Sequence, residues 1–165
     1  MTVPLEIEID AGPEAAAEAI AVMHAAFAEY AATGLASGAM TETRDTLLEE
    51  MAAGTAVAIA RVDGRAVASA KHHPAEDGSL YFGRLGVASE ARGRGIAAAM
   101  VRALRAHAHA QGRPGLSCLV RASESGNIAI YQGLGMEITG SGERVSRTGA
   151  LISVVEMADA ATPQG

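Results

Sequence analysis

The sequence predicts one mixed α/β domain whose strands and helices follow in the order β-αα-βββ-α-β-α-ββ. Three patterns carry that expectation. Leu5, Ile7 and Ile9 alternate with Glu6, Glu8 and Asp10, the two-residue period of a half-buried strand. Asp63-Gly64 sits between two strand-like runs and reads as a hairpin turn. Ile96, Met100 and Leu104 fall on one stripe of a long helix. The 165 residues, 49% hydrophobic and 19% charged, suit a single domain with a core and exclude a disordered chain.

The elements follow in turn. Gly12-Pro13 stops the first strand, and Pro13 suits the first turn of a helix. Ile20, Met23, Phe27 and Tyr30 lie at helical spacing, so residues 14–30 read as an amphipathic helix. Thr33-Gly34 and Ser37-Gly38 mark a connection, and residues 41–51 read as a shorter helix closed near Gly54. Val57, Ile59 and Val62 lead into the Asp63-Gly64 turn, and residues 67–71 lead out of it. His73-Pro74 to Gly78 reads as a second turn, and residues 80–87 as the third strand of the meander. Residues 96–111 read as a helix, 116–120 as a short apolar strand and 127–134 as a short helix ending at Gly135. Residues 137–138 and 151–157 make the last strand pair around a turn at Gly140-Ser141-Gly142. The domain is expected to span residues 1–159, with 160–165 a flexible tail.

Charge is unevenly spread. The total of −6 comes from 13 basic and 19 acidic residues. Residues 1–50 hold ten acids against Arg44, a balance of −9, and residues 84–121 hold seven arginines against Glu90, a balance of +6. Such asymmetry fits either two differently charged ligands or surfaces, or solvated faces that happen to cluster, and composition alone slightly favours the latter. The lone Cys118 forbids an internal disulfide and cannot build a cysteine-based zinc site. His107 and His109 lie two apart on a helix and face different ways, so no metal site is expected. No signal peptide is read at the N-terminus, and the Ala-rich stretch 15–28, broken by Glu18 and His24, is too short to span a bilayer. Five aromatics are too few for base-stacking platforms. The expectation is a cytoplasmic protein with neither membrane nor nucleic-acid partners.

The most informative segment is residues 80–99, where a strand runs into a Gly/Arg turn that opens the long helix. Gly93 and Gly95 let the backbone approach a ligand, and their amides join the unpaired donors of the helix start. The helix dipole and the charges of Arg92 and Arg94 make this a phosphate site. A Walker loop is excluded, because the only lysine is Lys71. Gly93-x-Gly95-x-x-Ala98 satisfies the dinucleotide fingerprint literally. However, residues 88–92 separate it from the strand, and the next strand ends at Arg121 with no acid for a ribose.

Two motifs resemble those of the GNAT superfamily of N-acetyltransferases. Arg92-Gly93-Arg94-Gly95-Ile96-Ala97 is similar to that family's Arg/Gln-x-x-Gly-x-Gly/Ala turn, which follows a triplet here written Leu85-Gly86-Val87. Downstream, Asn127, Tyr131, Gly135 and Met136 resemble a compact form of the second signature, with Met136 replacing its usual Phe. The element order matches from Leu5 to Met157. The resemblance implies a mixed, mostly antiparallel central sheet flanked by helices, and acetyl-CoA (coenzyme A) as donor. It implies that the amides of residues 92–97 hold the pyrophosphate. Residues 85–87 would pair with the pantetheine arm as an added strand, a bulge there splaying this strand from residues 116–120. An N–H near Val87 would polarise the thioester carbonyl.

The same resemblance makes Tyr131 the candidate general acid for the departing thiolate. Asn127 either bonds the cofactor arm or caps its helix. A general base is not identifiable: residues 80–84 contain no carboxylate, and His72 and His73 are the nearest imidazoles. Tyr81, Gly83 and Leu85 share one strand face, opposite Phe82 and Arg84. Cys118 reads as a buried small side chain. The first two helices would wall an amine-bearing acceptor, bringing Phe27, Tyr30, residues 35–39, Glu29 and Glu42 close, with Tyr81, Arg84 and His72 as further contacts. A negative rim there would favour a cationic amine, whereas Arg84 would suit a carboxylate. A non-catalytic acyl-CoA-binding module is the competing class, and the family's frequent dimers leave a homodimer open.

Overall fold

The computed structural model describes residues 4–32, 38–145 and 149–160, and the side chains of residues 29–32 and 38 are outside the description. Its elements are β1 (Leu5–Ala11), α1 (Ala16–Ala32), α2 (Arg44–Ala52), β2 (Ala56–Val62), β3 (Arg65–Pro74), β4 (Leu80–Val87), α3 (Ile96–Ala110), β5 (Leu116–Arg121), α4 (Ser125–Gly133), β6 (Met136–Val145) and β7 (Leu151–Asp159). The strands form one sheet in the order β1-β2-β3-β4-β5-β7-β6, antiparallel except for β4 beside β5.

Local chemistry accounts for most boundaries. Asp63 and Gly64 both adopt positive φ, 53° and 77°, which matches the twist of the β2–β3 hairpin. Thr43 and Thr46 cap α2 reciprocally, each hydroxyl accepting the other's backbone N–H at 3.1 and 2.9 Å. Alternation along the alanine-rich central strands then divides the core. Ala58, Ala60, Ala68 and Ala70 face Ile96, Met100, Val101 and Leu104 of α3. Val57 and Ile59 face the other way, onto Ala16, Ala19 and Met23 of α1 and Leu47 of α2. The sheet is thus covered by α1 and α2 on one face and by α3 and α4 on the other.

Two turns differ from the sequence expectation. His73 and Pro74 remain in β3, paired with Tyr81 and Leu80, and the turn begins only at Ala75. Asp77 shapes it, its carboxylate accepting from the Ser79 amide and hydroxyl at 2.9 and 2.6 Å. Gly140-Ser141-Gly142 is not a turn either: it lies inside β6, paired with Glu156, Val155 and Val154. The register shifts between Ile138 and Gly140, and a Cβ on Gly140 would stand 2.7 Å from the Glu156 carboxylate. Here glycine marks a bulge and a close approach, not a reversal. Ala160, placed in the expected tail, still donates its amide to the Gly135 carbonyl at 2.9 Å; residues 161–165 lie outside the described residues.

The feature that shapes the site is in β4. Ser69 pairs with Gly86 and Lys71 with Gly83, so Arg84 and Leu85 together oppose the single Ala70. Arg84 sits at φ 54° in this bulge, a conformation that side chains other than glycine rarely adopt. The bend ends pairing with β5 after Leu80–Leu116 and Tyr81–Ser117, and the two strands diverge beyond.

Candidate active site

Three cavities with shared walls follow that divergence. The first, of about 450 Å³, lies between α1, the end of β4, the Gly/Arg turn and α4. Leu85, Gly86, Val87, Arg92, Gly93, Gly95, Ile96 and Ala97 line it, with Asn127 and Tyr131 opposite. Gly93 and Gly95 adopt φ 80° and 75°, aiming the backbone of the turn along the start of α3, where the first amides have no intrahelical acceptor. Gly86 is required for a different reason: a Cβ there would meet Ala26 Cβ at 2.7 Å and Phe27 Cε2 at 2.8 Å. The absence of a side chain lets β4 and α1 close one wall of the cavity.

The two arginines of the turn behave differently from the expectation of two charges presented to phosphate. Arg92 folds back, donating Nε to the Val87 carbonyl at 3.1 Å and Nη2 to the Ala26 carbonyl at 2.8 Å. It braces the turn against β4 and α1 while still lining the cavity. Arg94 is exposed and does not line it. What this turn presents to the cavity is therefore its main chain and the start of the α3 dipole, features suited to an anion, more than its guanidiniums.

The second cavity, of about 130 Å³, occupies the gap between β4 and β5. Phe27, Phe82, Gly83, Arg84, Leu85, Cys118, Asn127 and Tyr131 line it. Tyr131 is 7% exposed and meets Phe82 edge-on, with ring centroids 5.6 Å apart. Asn127 lies within the first turn of α4 while Glu124 holds the N-cap position, so of its two readings the cap is not realised. Burial pushes the Cys118 thiol up to about 12, which leaves it un-ionised and a poor nucleophile.

The third cavity, of about 500 Å³, opens on the α2 side of the sheet and shares Gly83, Arg84, Leu119 and Arg121 with the second. Tyr81 lines it, stacked on His73 with centroids 5.0 Å apart. Burial raises the Tyr81 phenol above its ordinary range. Arg84 is on this face beside Tyr81 and Gly83, not opposite them, because the bulge interrupts the two-residue alternation. His73, one of the two imidazoles considered for a base, also lines it, as do Lys71, Arg121 and Arg144, which no sequence motif singled out for the site. Alternation along β3 pairs Lys71 with His73, but nothing local brings Arg144 to them while residues 140–142 read as a turn.

Other candidates are not brought together. His72 points to the opposite face, 2% exposed, its Nε2 2.7 Å from the Ile9 carbonyl and its ring 5.4 Å from His107. It is therefore no acceptor contact. The side chains of Tyr30 and Glu29, and the whole of residues 33–37, lie outside the described residues. Glu42 forms no negative rim. It is 1% exposed, with its carboxylate ion-paired to Lys71 Nζ and accepting from Arg84 Nε at 2.9 Å. Lys71 also holds Glu50 at 2.8 Å, while Arg61 takes up Glu8 and Glu18 at 3.0 and 2.6 Å. Four of the ten acids in residues 1–50, Glu8, Glu18, Glu42 and Glu50, are thus paired with bases from the rest of the fold.

The architecture is that of an acyl-group transferase, and comparison with known proteins agrees. The model of the acetyltransferase (GNAT) family matches residues 19–136, and the chain belongs to that family. No curated protein matches it. Among solved structures, the ribosomal-protein alanine N-acetyltransferase of Escherichia coli is 18% identical, with a TM-score of 0.76 over 98% of this chain and 97% of that one. The ribosomal-protein alanine N-acetyltransferase of Brucella melitensis is 22% identical, with a TM-score of 0.68 over 93% of this chain and 98% of that one. A Salmonella typhimurium acetyltransferase structure, determined with its cofactor acetyl-CoA, is 14% identical, with a TM-score of 0.73 over 98% of this chain and 96% of that one. These likenesses show the shared fold. Among the described residues no helix is long and apolar enough to cross a membrane.

Proposed function

We propose that the protein is an acetyl-CoA-dependent N-acetyltransferase that moves the acetyl group directly to a primary amine. The observation that carries this reading is the divergence of β4 from β5 at the mouth of the Gly/Arg turn, with Tyr131 in the gap. The residues present fit coenzyme A. Backbone donors of residues 93–97 suit its pyrophosphate, and the unpaired edge of β4 at residues 85–87 suits an amide-bearing arm added as a strand. Acetyl-CoA supplies an activated thioester.

The chain's own groups do the rest. The backbone N–H near Val87 is the candidate donor to negative charge developing on the carbonyl oxygen. The Tyr131 hydroxyl is the candidate source of the proton taken by the departing sulfur. Cys118, un-ionised and buried, takes no part, so the amine attacks without an enzyme-bound intermediate. The test is thiol release from acetyl-CoA across a mixed panel of amines, paired with calorimetric coenzyme A affinity. Tyr131→Phe is expected to depress turnover and spare that affinity. Coenzyme A binding without thiol release from any amine would instead leave a binding module, and stabilisation by NADPH but not coenzyme A would overturn the assignment.

A further inference from the structure

We infer that the acceptor is a small amino acid whose carboxylate docks in the α2-side cavity while its amine enters the gap between β4 and β5. This deepens the transferase reading and rests on it. The cavity adjoins the gap through Gly83, Arg84, Leu119 and Arg121, so a group held there presents its neighbouring atoms to Tyr131's side of the sheet. Among the described residues its lining carries Lys71, Arg84, Arg121 and Arg144 with Glu50 as its one acid, and Glu42 lies buried behind. Four cations thus face two carboxylates.

The pairing is also asymmetric in detail. Lys71 is consumed by Glu42 and Glu50. Arg84 gives Glu42 only its Nε, and its two terminal nitrogens make no other hydrogen bond among the described residues. A guanidinium anchored through Nε by a buried acid is a preorganised partner for an incoming carboxylate. Arg84, Arg144 and Tyr81 line the cavity together, and the two guanidiniums oppose the upward push that burial gives the Tyr81 phenol. A cationic amine would meet the wrong sign of charge here. A cavity of about 500 Å³ suits a compact molecule.

The test compares α-amino acids with their carboxamides, their decarboxylated amines and acidic-N-terminal tripeptides in the thiol-release assay. Amino-acid binding to the coenzyme A-loaded protein is measured in parallel by calorimetry. Free amino acids should exceed the carboxamides in kcat/KM by about tenfold or more, the scale of one charged hydrogen bond. Arg144→Gln should collapse that ratio and weaken calorimetric binding of the amino acid, with coenzyme A affinity as the internal check on folding. Equal turnover of carboxamides, better turnover of decarboxylated amines, or preference for the peptides would overturn the inference while leaving the transferase reading intact. Carboxylate-dependent binding that Arg144→Gln weakens, without thiol release, would uphold it and sink catalysis instead.

Discussion

Glu42 offers the sharpest test of how the site is held. Its carboxylate, 1% exposed, bridges Lys71 on β3 and Arg84 in the β4 bulge, whose side chains are 12% and 32% exposed. Glu42→Ala leaves two cations facing each other across an emptied position. Removing one partner of a buried pair costs about 3–5 kcal/mol. Lys71 keeps Glu50 and Arg84 reaches solvent, so the lower end, about 3 kcal/mol, is the expected loss. For a domain of this size that corresponds to a fall of roughly 6–12 °C in Tm. Glu42→Gln keeps the shape and some hydrogen bonding and should fall between wild type and Ala. Thermal and urea unfolding measure both, and a cycle with Lys71→Met tests the coupling. Removing both charges should recover much of the loss, because a buried pair replaced by apolar groups of similar volume is often neutral. A Glu42→Ala shift below about 2 °C, or strict additivity in the cycle, would refute the account of Glu42 as the hub of the bulge.

Three further outcomes are expected. Gly86→Val, which forces a side chain onto Ala26 and Phe27, should destabilise by about 1–3 kcal/mol and weaken coenzyme A binding by calorimetry; an unchanged affinity would mean the β4–α1 wall is not part of that site. Native Cys118, its thiol near 12, should react with iodoacetamide at pH 8 about a thousandfold more slowly than the urea-unfolded chain, and rates within tenfold of each other would contradict its burial. Burial lowers the His72 ring below 6.5, so the unfolded chain takes up its proton first as pH falls. Stability should therefore be full above that value and decline below it. Melting temperatures between pH 7.5 and 5 should flatten in His72→Gln, and an equally steep profile would assign the acid sensitivity elsewhere.

Much of this molecule was legible locally. The β1 alternation, the Asp63-Gly64 hairpin, the α3 stripe and the Gly/Arg turn each depend on neighbours within a few residues, so their spacing alone reports them. The proposed cofactor-side residues Leu85, Gly86, Val87, Gly93 and Gly95 line one cavity for the same reason, since a short segment of backbone places them together. Local reading failed where glycine served packing instead of reversal, as at Gly140, and where a bulge flipped a face, as at Arg84.

By itself, then, the sequence determined the order of the elements and the turn that offers backbone donors at the start of α3. Tertiary structure decided the sign of charge at the other end of the site. Ten acids in residues 1–50 read as a negative surface. In the fold, Glu42 meets Lys71 and Arg84 across 29 and 42 residues of chain, and Glu8 and Glu18 meet Arg61. A buried carboxylate persists only when paired, and the choice of partner is made by sheet register and helix packing, which no local pattern contains.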